Sequence, residues 1–174
     1  ATLSFGPAMT RAEVHGPLAD LPALPVLAHA VATGFHGFDR HEALSAMVAT
    51  STAARPSAPA AAQRDWSIYE QHGYLPYDKV DGESVSKTLE YAWGDDAVRR
   101  VAAALGERAT EARFTARSQS YRQLFDPATQ LMRGRASTGA WRTPFDPVTA
   151  TSPLNNPGDY TEADAWQYTV AAGL

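Results

Sequence analysis

The sequence contains no cysteine, which excludes disulfide frameworks, thiolate metal sites and cysteine nucleophiles. It also has no basic run, because its 15 Lys and Arg residues are scattered among 19 Asp and Glu, for a net charge of −4. A nucleic-acid interface needs a concentrated basic face, so this distribution indicates no nucleic-acid partner. Nor does any apolar run approach the ~18 residues that a membrane span needs, and we expect no membrane partner.

The chain holds 174 residues, of which 44% are hydrophobic, enough to build a sizeable core. Apolar residues recur at the three- and four-residue steps of helices, and no alternation typical of a strand reaches a useful length. We therefore predict an all-α fold of antiparallel helix pairs with long irregular loops. Helices are predicted at residues 24–33, 39–52, 84–105 and 107–125, with a short last helix starting near residue 161.

The segment 84–105 is the clearest predicted helix. Gly106 is suited to ending it, and the next helix follows after a very short connection. Earlier in the chain, Asp39 can cap the free N–H groups in the first turn of its helix. One face of the 84–105 helix is predicted to be buried, and it carries Val85, Leu89, Ala92, Trp93, Val101, Ala102 and Leu105.

Two stretches are predicted to be irregular. Residues 51–63 are rich in Ala, Pro and Ser and almost free of large apolar side chains, which indicates a loop insertion. Prolines between residues 127 and 157 exclude a continuous helix there. After them, Thr161 and Asp164 have the spacing of a capping box, which would place Glu162 in the first turn of the last helix. That helix would bury Trp166, Val170 and Leu174.

Acidic and histidine side chains are the remaining candidates for chemistry. Asp95 and Asp96 lie in the middle of a predicted helix and are expected to form a solvated or helix-packing pair. Asp78, Asp81 and Glu83 could suggest a calcium site, since calcium takes oxygen ligands, but they are better explained as a loop cap before the following helix. No metal-binding spacing connects the three histidines considered, His36, His41 and His72.

Five blocks of the sequence resemble glycoside hydrolase family 92, and they occur in the family's order. They read Gly-Tyr-Leu-Pro-Tyr-Asp at 73–78, Ser-Val-Ser-Lys-Thr-Leu-Glu-Tyr-Ala at 84–92, Ser-Gln-Ser-Tyr-Arg-Gln-Leu-Phe-Asp-Pro at 118–127, Thr-Pro-Phe-Asp-Pro at 143–147 and Asp-Tyr-Thr-Glu-Ala-Asp-Ala-Trp-Gln-Tyr at 159–168. Segments 34–39 and 42–47 are also similar to the family, so the resemblance covers roughly residues 20–170.

The resemblance implies both a fold and an activity. Members of this family have a β-sandwich domain followed by an (α/α)6 toroid, and they act as calcium-dependent, inverting exo-α-mannosidases. Residues 1–174 would then form a single partial domain, an arc of helices from the middle of the toroid. The rest of the catalytic domain and the β-sandwich domain would be its partners in the parent protein, and mannose-terminated glycans would be the substrate.

By the same resemblance, Glu162 is the general acid that protonates the departing oxygen. Without the resemblance, it is better explained as a spacer in the capping box or a glutamate favoured by the helix dipole. An inverting enzyme also needs a carboxylate that activates water on the opposite face of the sugar. In the family this base lies in a Gly-Gly-Asn-Asp-Asp motif, which this sequence lacks, so we expect the base outside this chain. The calcium ligands are expected outside it as well, with no metal site among these residues.

Several aromatic residues have two open explanations. Trp166, Gln167 and Tyr168 follow the presumed acid and could contact sugar, since aromatic faces suit a sugar ring and amides suit its hydroxyls, but they could equally pack or hold Glu162 in place. The segment from Tyr74 to Tyr77 could line a sugar site or pack as a loop plug.

The sequence departs from the family pattern at two places. Ala163 and Asp164 stand where Gly-Asn is usual, which adds a carboxylate beside the presumed acid and could disturb how substrate is held. Gln130 stands where a glycine is usual, so the local turn geometry is in question.

Two other functions stay open at this stage. The chain could be a non-catalytic helical fragment that acts as a carbohydrate-binding or interaction module, or a toroidal hydrolase with another substrate. Since an arc of a toroid exposes apolar faces, self-association of the fragment is also expected. The resemblance suggests secretion or a periplasmic location.

Overall fold

A computed structural model of the protein describes residues 23–52, 60–154 and 156–173. Over these residues the chain is mostly helical, and its only two strands, β1 (Phe125–Asp126) and β2 (Leu131–Met132), form a small antiparallel hairpin. The predicted all-α class is confirmed. The helices are α1 (Ala23–Ala32), α2 (Arg40–Thr50), α3 (Ala60–His72), α4 (Ser84–Leu105), α5 (Arg108–Ser118) and α6 (Ala165–Ala171).

The chain divides into two compact units. Unit 1 comprises residues 1–67 and 91–118, and unit 2 comprises residues 68–90 and 119–174. Helices α3 and α4 each contribute residues to both units. None of the helices in the described part of the chain is long and apolar enough to cross a membrane.

Apolar packing and ion pairs with buried carboxylates stabilise unit 1. The Trp66 ring stacks on the Tyr91 ring with centroids 3.8 Å apart. In α4, Asp95 is fully buried, and its Oδ2 lies 3.0 Å from Nε of Arg117 in α5. Its neighbour Asp96 pairs with two arginines one turn further along α4. The Asp95 and Asp96 pair is therefore structural, as predicted.

The predicted helix starts and ends agree with the structure at several points. Helix α4 spans the predicted 84–105, and Gly106 ends it with a positive φ of 76°. Asp39 caps α2 by accepting from the amides of His41 and Glu42. One residue of the predicted apolar stripe is misplaced, because Trp93 is 58% exposed. It lies about 100° around the helix from Ala92, and that turn directs it away from the buried face.

Two predicted boundaries are wrong. The helix expected at 107–125 ends at Ser118 and is followed by a 3-10 turn, Ser120–Leu124. The buried Leu124 of this turn continues the apolar pattern beyond the true helix end. The loop expected at 51–63 is too long, because α3 begins at Ala60; an alanine run is a strong helix former even beside prolines. Residues 53–59 of that predicted loop lie outside the described residues.

Unit 2 builds its core around the β1–β2 hairpin. The hairpin turn contains Gln130, which adopts a positive φ of 61°, so this position has the conformation that favours the glycine usual in the family. The Met132 amide of β2 donates to Oγ1 of Thr169 in α6, which joins the last helix to the hairpin. The buried core residues are Tyr74, Val85, Leu124, Leu131, Met132, Tyr160 and Ala165.

The last helix differs from its prediction in start and in face. It begins at Ala165, and its capping box joins Asp164 to Gln167. It buries Ala165 and Thr169, whereas Trp166 is 54% exposed and Val170 is 73% exposed. Ala165 and Thr169 lie four residues apart on one face of the helix, and Trp166 and Val170 lie about 100° around it, so the prediction selected the wrong face. Leu174, also predicted to be buried, lies outside the described residues.

Candidate active site

Glu162 lies in unit 2, on the loop of residues 158–164 that precedes α6; we call this segment the Glu162 loop. Its side chain is exposed, and its backbone has a positive φ of 54°. The prediction that Glu162 lies in the first helical turn is therefore wrong. The cause is that the hydroxyl of Thr161, expected to cap α6, is bound elsewhere.

Thr161 is anchored through every polar group that it has. Its amide donates to Oγ of Ser86 at 2.7 Å, and its hydroxyl donates to Oε1 of Glu83 at 2.6 Å. Its carbonyl, part of the peptide that leads into Glu162, accepts from the hydroxyl of Tyr168 at 3.1 Å. The backbone next to Glu162 is therefore held on three sides.

The start of the Glu162 loop is fixed to the first turn of α4. The amide of Glu83 donates to the Gly158 carbonyl at 2.7 Å, and the amides of Val85 and Ser86 donate to the Asp159 carbonyl at 3.0 and 3.3 Å. First-turn amides have no partner within their own helix. Here the loop carbonyls satisfy them, so the loop and α4 complete each other's hydrogen bonding.

The Asp159 carboxylate is a second anchor of the same loop. It is 5% exposed and accepts from Arg142, at 2.5 Å from Nε to Oδ2 and 2.8 Å from NH2 to Oδ1. The hydroxyl of Ser84 also donates to Oδ1, at 2.8 Å. Gly134 makes room for this carboxylate, because a Cβ there would lie 2.0 Å from Oδ2 of Asp159.

Arg142 is itself braced. Its guanidinium lies over the Tyr77 ring, 3.9 Å from the centroid, a favourable cation–π geometry. Arg133 donates twice to the Arg142 carbonyl and pairs with the buried Asp126. Burial opposes ionisation of Asp126, but hydrogen bonds from the Ala128 amide and from Arg133 outweigh it and hold the pKa of Asp126 below its usual value.

Tyr160 fastens the loop from its apolar side. Its ring is buried, and its hydroxyl donates to the Met132 carbonyl at 2.8 Å. Burial first, and the nearby Asp159 charge second, raise the pKa of Tyr160, so its hydroxyl stays a neutral donor at all ordinary pH values. The Thr151 hydroxyl accepts from the Tyr160 amide and donates to the Tyr160 carbonyl. The Thr151 amide donates to the carbonyl of Ala163.

The three residues predicted to contact sugar have different surroundings. Trp166 is exposed on the first turn of α6, close in sequence to Glu162. Gln167 accepts from the Asp164 amide through its side chain, which completes the capping box. Tyr168 is half-buried, stacks with Tyr160 at 5.6 Å and binds the Thr161 carbonyl. Gln167 and Tyr168 are thus engaged in holding the loop and helix, whereas Trp166 has a free face.

The other predicted candidates do not form a site. Tyr74 and Leu75 are buried, and the Tyr74 hydroxyl donates to the Ala136 carbonyl, so this segment packs. Asp78 binds the amide and hydroxyl of Ser137 instead of capping α4, and this contact lowers the pKa of Asp78. Across residues 23–52, 60–154 and 156–173, no group of three His, Cys, Asp or Glu side chains could hold a metal.

The arrangement can present one carboxyl group on a rigid support. A glutamate at positive φ is strained, and such strain persists only where the surroundings hold the backbone in place, as they commonly do at active sites. Local sequence patterns missed the supporting residues Glu83, Asp159 and Arg142, because their contacts join segments 17 to 78 residues apart. Of these three residues, only Asp159 lies inside one of the five segments that resemble the family, and this was the only sequence evidence that pointed to any of them.

The chain is similar to solved structures of family GH92 mannosidases. The chain is 39% identical to a family GH92 α-mannosidase from Bacteroides thetaiotaomicron in complex with mannoimidazole, with a TM-score of 0.76 over 86% of this chain and 19% of that one. It is 25% identical to a family GH92 inverting mannosidase from Bacteroides thetaiotaomicron VPI-5482, with a TM-score of 0.71 over 86% of this chain and 21% of that one. The chain thus spans about a fifth of the length of these mannosidases.

No curated protein matches the chain. The glycosyl hydrolase family 92 catalytic domain matches residues 19–173, nearly the whole sequence. The match contains the Glu162 loop and the segments that anchor it. The chain therefore belongs to glycosyl hydrolase family 92, and the part of the family that it matches is the catalytic domain.

Proposed function

We propose that this chain is part of a glycoside hydrolase that removes terminal α-linked mannose from glycans, with Glu162 as the general acid. One observation carries the proposal: Glu162 is an exposed carboxyl on a strained backbone, and its neighbours Thr161 and Ala163 are both anchored by hydrogen bonds. Such a support holds a proton donor in one place, which general acid catalysis requires.

The proposed chemistry is proton donation to the leaving oxygen. As the glycosidic bond breaks, the Glu162 carboxyl gives its proton to the departing oxygen, so the leaving group departs as an alcohol. In an inverting reaction, a second carboxylate removes a proton from the water molecule that attacks the opposite face of the sugar. The two carboxyl groups lie about 6.5–9.5 Å apart. We place that base outside this chain, as the sequence predicts.

The proposed substrate class follows from the relatives, which are described as mannosidases. Trp166 is the residue of this chain best placed to contact sugar, because its exposed indole lies on the helix that starts just after Glu162. An aromatic face packs well against the C–H groups of a sugar ring. Gln167 and Tyr168 have the supporting role that their hydrogen bonds indicate.

Calcium dependence stays a prediction from the resemblance. The described residues do not fit a calcium site, since no cluster of three carboxylate or histidine side chains occurs among them. Any calcium ligands would have to come from outside these residues.

The test is the Glu162→Gln variant of the full-length protein, assayed on an α-linked mannose disaccharide. Glutamine preserves size but cannot donate a proton to the leaving group, so we expect kcat to fall by about 10²- to 10⁴-fold. Glu42→Gln, an exposed glutamate in α2, is the control and should leave turnover unchanged. Wild-type turnover by Glu162→Gln would refute the assignment.

A further inference from the structure

The Glu83 carboxylate makes a contact that its position in the chain would not suggest. It accepts from the Thr161 hydroxyl at 2.6 Å, across 78 residues of sequence, next to the proposed acid. We propose that Glu83 is a positioning residue for Glu162, acting through this hydrogen bond; the inference rests on the proposed function.

The conformation of Glu83 supports a dedicated role for its side chain. Its backbone has a positive φ of 56°, a region that glycine occupies without strain, yet the position holds a glutamate. The side chain is 16% exposed, and its other oxygen lies 4.0 Å from Nζ of Lys87. An O–H···O bond to an ionised carboxylate is short and about twice as strong as a neutral one. The 2.6 Å distance fits that kind of bond.

The geometric consequence falls on the next residue. Thr161 is joined to Glu162 by one peptide, so a hydrogen bond that fixes the Thr161 side chain limits rotation of the backbone just before the acid. Misplacing a catalytic group by about 1 Å can cost roughly 100-fold in rate. The direction of the proton donor is thus expected to depend on Glu83.

The loop does not depend on Glu83 alone for its attachment. The Thr161 amide still binds Ser86, and the Asp159 carboxylate still binds Arg142 and Ser84. Removing the carboxylate at position 83 should therefore loosen the aim of Glu162 without detaching the loop. The expected defect is in kcat, with KM close to the wild-type value.

The dependence of activity on the leaving group distinguishes a misplaced Glu162 from a generally disordered site. A dinitrophenyl group leaves as a stable anion and needs little help from an acid, whereas a mannosyl group needs a proton. A variant that impairs only the aim of the acid must lose more activity on the disaccharide than on dinitrophenyl α-mannoside. A variant with a disordered site loses activity on both substrates alike.

The experiment uses four single variants and one double variant of the full-length protein. Glu83→Ala and Thr161→Val remove the two partners, while Glu83→Gln keeps an acceptor and Thr161→Ser keeps the hydroxyl. We expect the first pair to lose roughly 10- to 100-fold in kcat on the disaccharide and far less on the dinitrophenyl substrate. The second pair should retain most of the activity. The Glu83→Ala/Thr161→Val double variant should be no worse than the poorer single variant, because both act through one bond.

The outcomes separate this inference from the proposed function. If Glu162→Gln shows the leaving-group dependence and Glu83→Ala does not, Glu83 has no positioning role, and Glu162 remains the acid. If Glu162→Gln itself loses equal activity on both substrates, the proposed function fails. Additive losses in the double variant would also overturn the inference.

Discussion

Each unit of the molecule contains a buried aspartate paired with an arginine, yet the two pairs serve different purposes. In unit 1, Asp95 and Arg117 join helices α4 and α5, and Arg117 also donates to the Ser51 carbonyl and lies over the Phe114 ring. In unit 2, Asp159 and Arg142 join two irregular segments. An aspartate–arginine pair thus supports the packing of two helices in unit 1. In unit 2, a pair of the same kind holds together two segments that are not helical.

The difference shows how a loop can be made rigid. Helices α4 and α5 have their own backbone hydrogen bonds, so the unit 1 pair adds to elements that are already ordered. The Glu162 loop has no such ladder, and its order comes from side chains and from the free amides of α4. We therefore expect loss of the unit 1 pair to affect folding most, and loss of the unit 2 pair to affect turnover most.

The largest effect on folding is expected from Arg117→Met in the full-length protein. The substitution removes the Arg117 cation from the buried Asp95 carboxylate, and breaking a buried pair in this way costs about 3–5 kcal/mol. Hydrogen exchange of the α4 and α5 amides would measure the loss. Arg108→Met, an exposed arginine on the same helix, is the control and should change local stability by less than about 0.5 kcal/mol. Turnover per folded molecule should be unchanged, and a fall in it would break the comparison.

Asp159→Asn should affect stability less than Arg117→Met does, and it should affect turnover more. The neutral amide can still accept from Ser84, but it loses the charge that binds Arg142, and hydrogen bonds to charged groups contribute about 1.5–3 kcal/mol. Faster exchange in residues 158–164 and a lower kcat on the disaccharide are the expected results. Asp146→Asn, an exposed aspartate in the same unit, serves as the control. A normal kcat together with a loosened loop would show that rigidity there does not matter for catalysis.

The smallest effect is expected at Gln130, and it should be a gain. A left-handed conformation costs a residue with a Cβ about 1–2 kcal/mol, part of which glycine returns as greater freedom in the unfolded chain. Gln130→Gly should thus slow exchange in the β1–β2 hairpin by an amount worth about 0.5–1 kcal/mol. Both substitutions lose the exposed side-chain bond to the Pro127 carbonyl, but Gln130→Ala also keeps the backbone strain, so it should not stabilise the hairpin. Equal results for the two variants would show that backbone strain is negligible in this unit.

Sequence patterns predicted what depends on neighbouring residues. Helix α4 was placed correctly because its apolar spacing and its ending glycine are local signals. Helix α3 was missed, since its first residues share the alanine-rich composition of the segment before it. The candidate acid was found only through family resemblance, and its support by Glu83 and Arg142 was not predicted at all. These contacts join distant segments, and no local periodicity encodes them.

The capping box near Glu162 is the instructive error. Thr161 and Asp164 have the right spacing, and the prediction assumed that a hydroxyl next to a helix start would cap that helix. A stronger partner, the Glu83 carboxylate, takes the hydroxyl, and Asp164 pairs with Gln167 one turn later. A local motif is thus overridden when tertiary structure offers the same group a charged acceptor.

The left-handed backbone at Glu162 also affects which substitutions would accumulate after a duplication of the gene. Glycine, and to a lesser degree asparagine, fits this conformation better than glutamate does. A duplicate freed from selection for catalysis would therefore gain stability by exchanging Glu162, the proposed acid, for one of these residues. The anchors Asp159 and Thr161 would still stabilise the loop and would be retained. Inactive descendants should thus be recognisable by an intact frame around a changed residue 162.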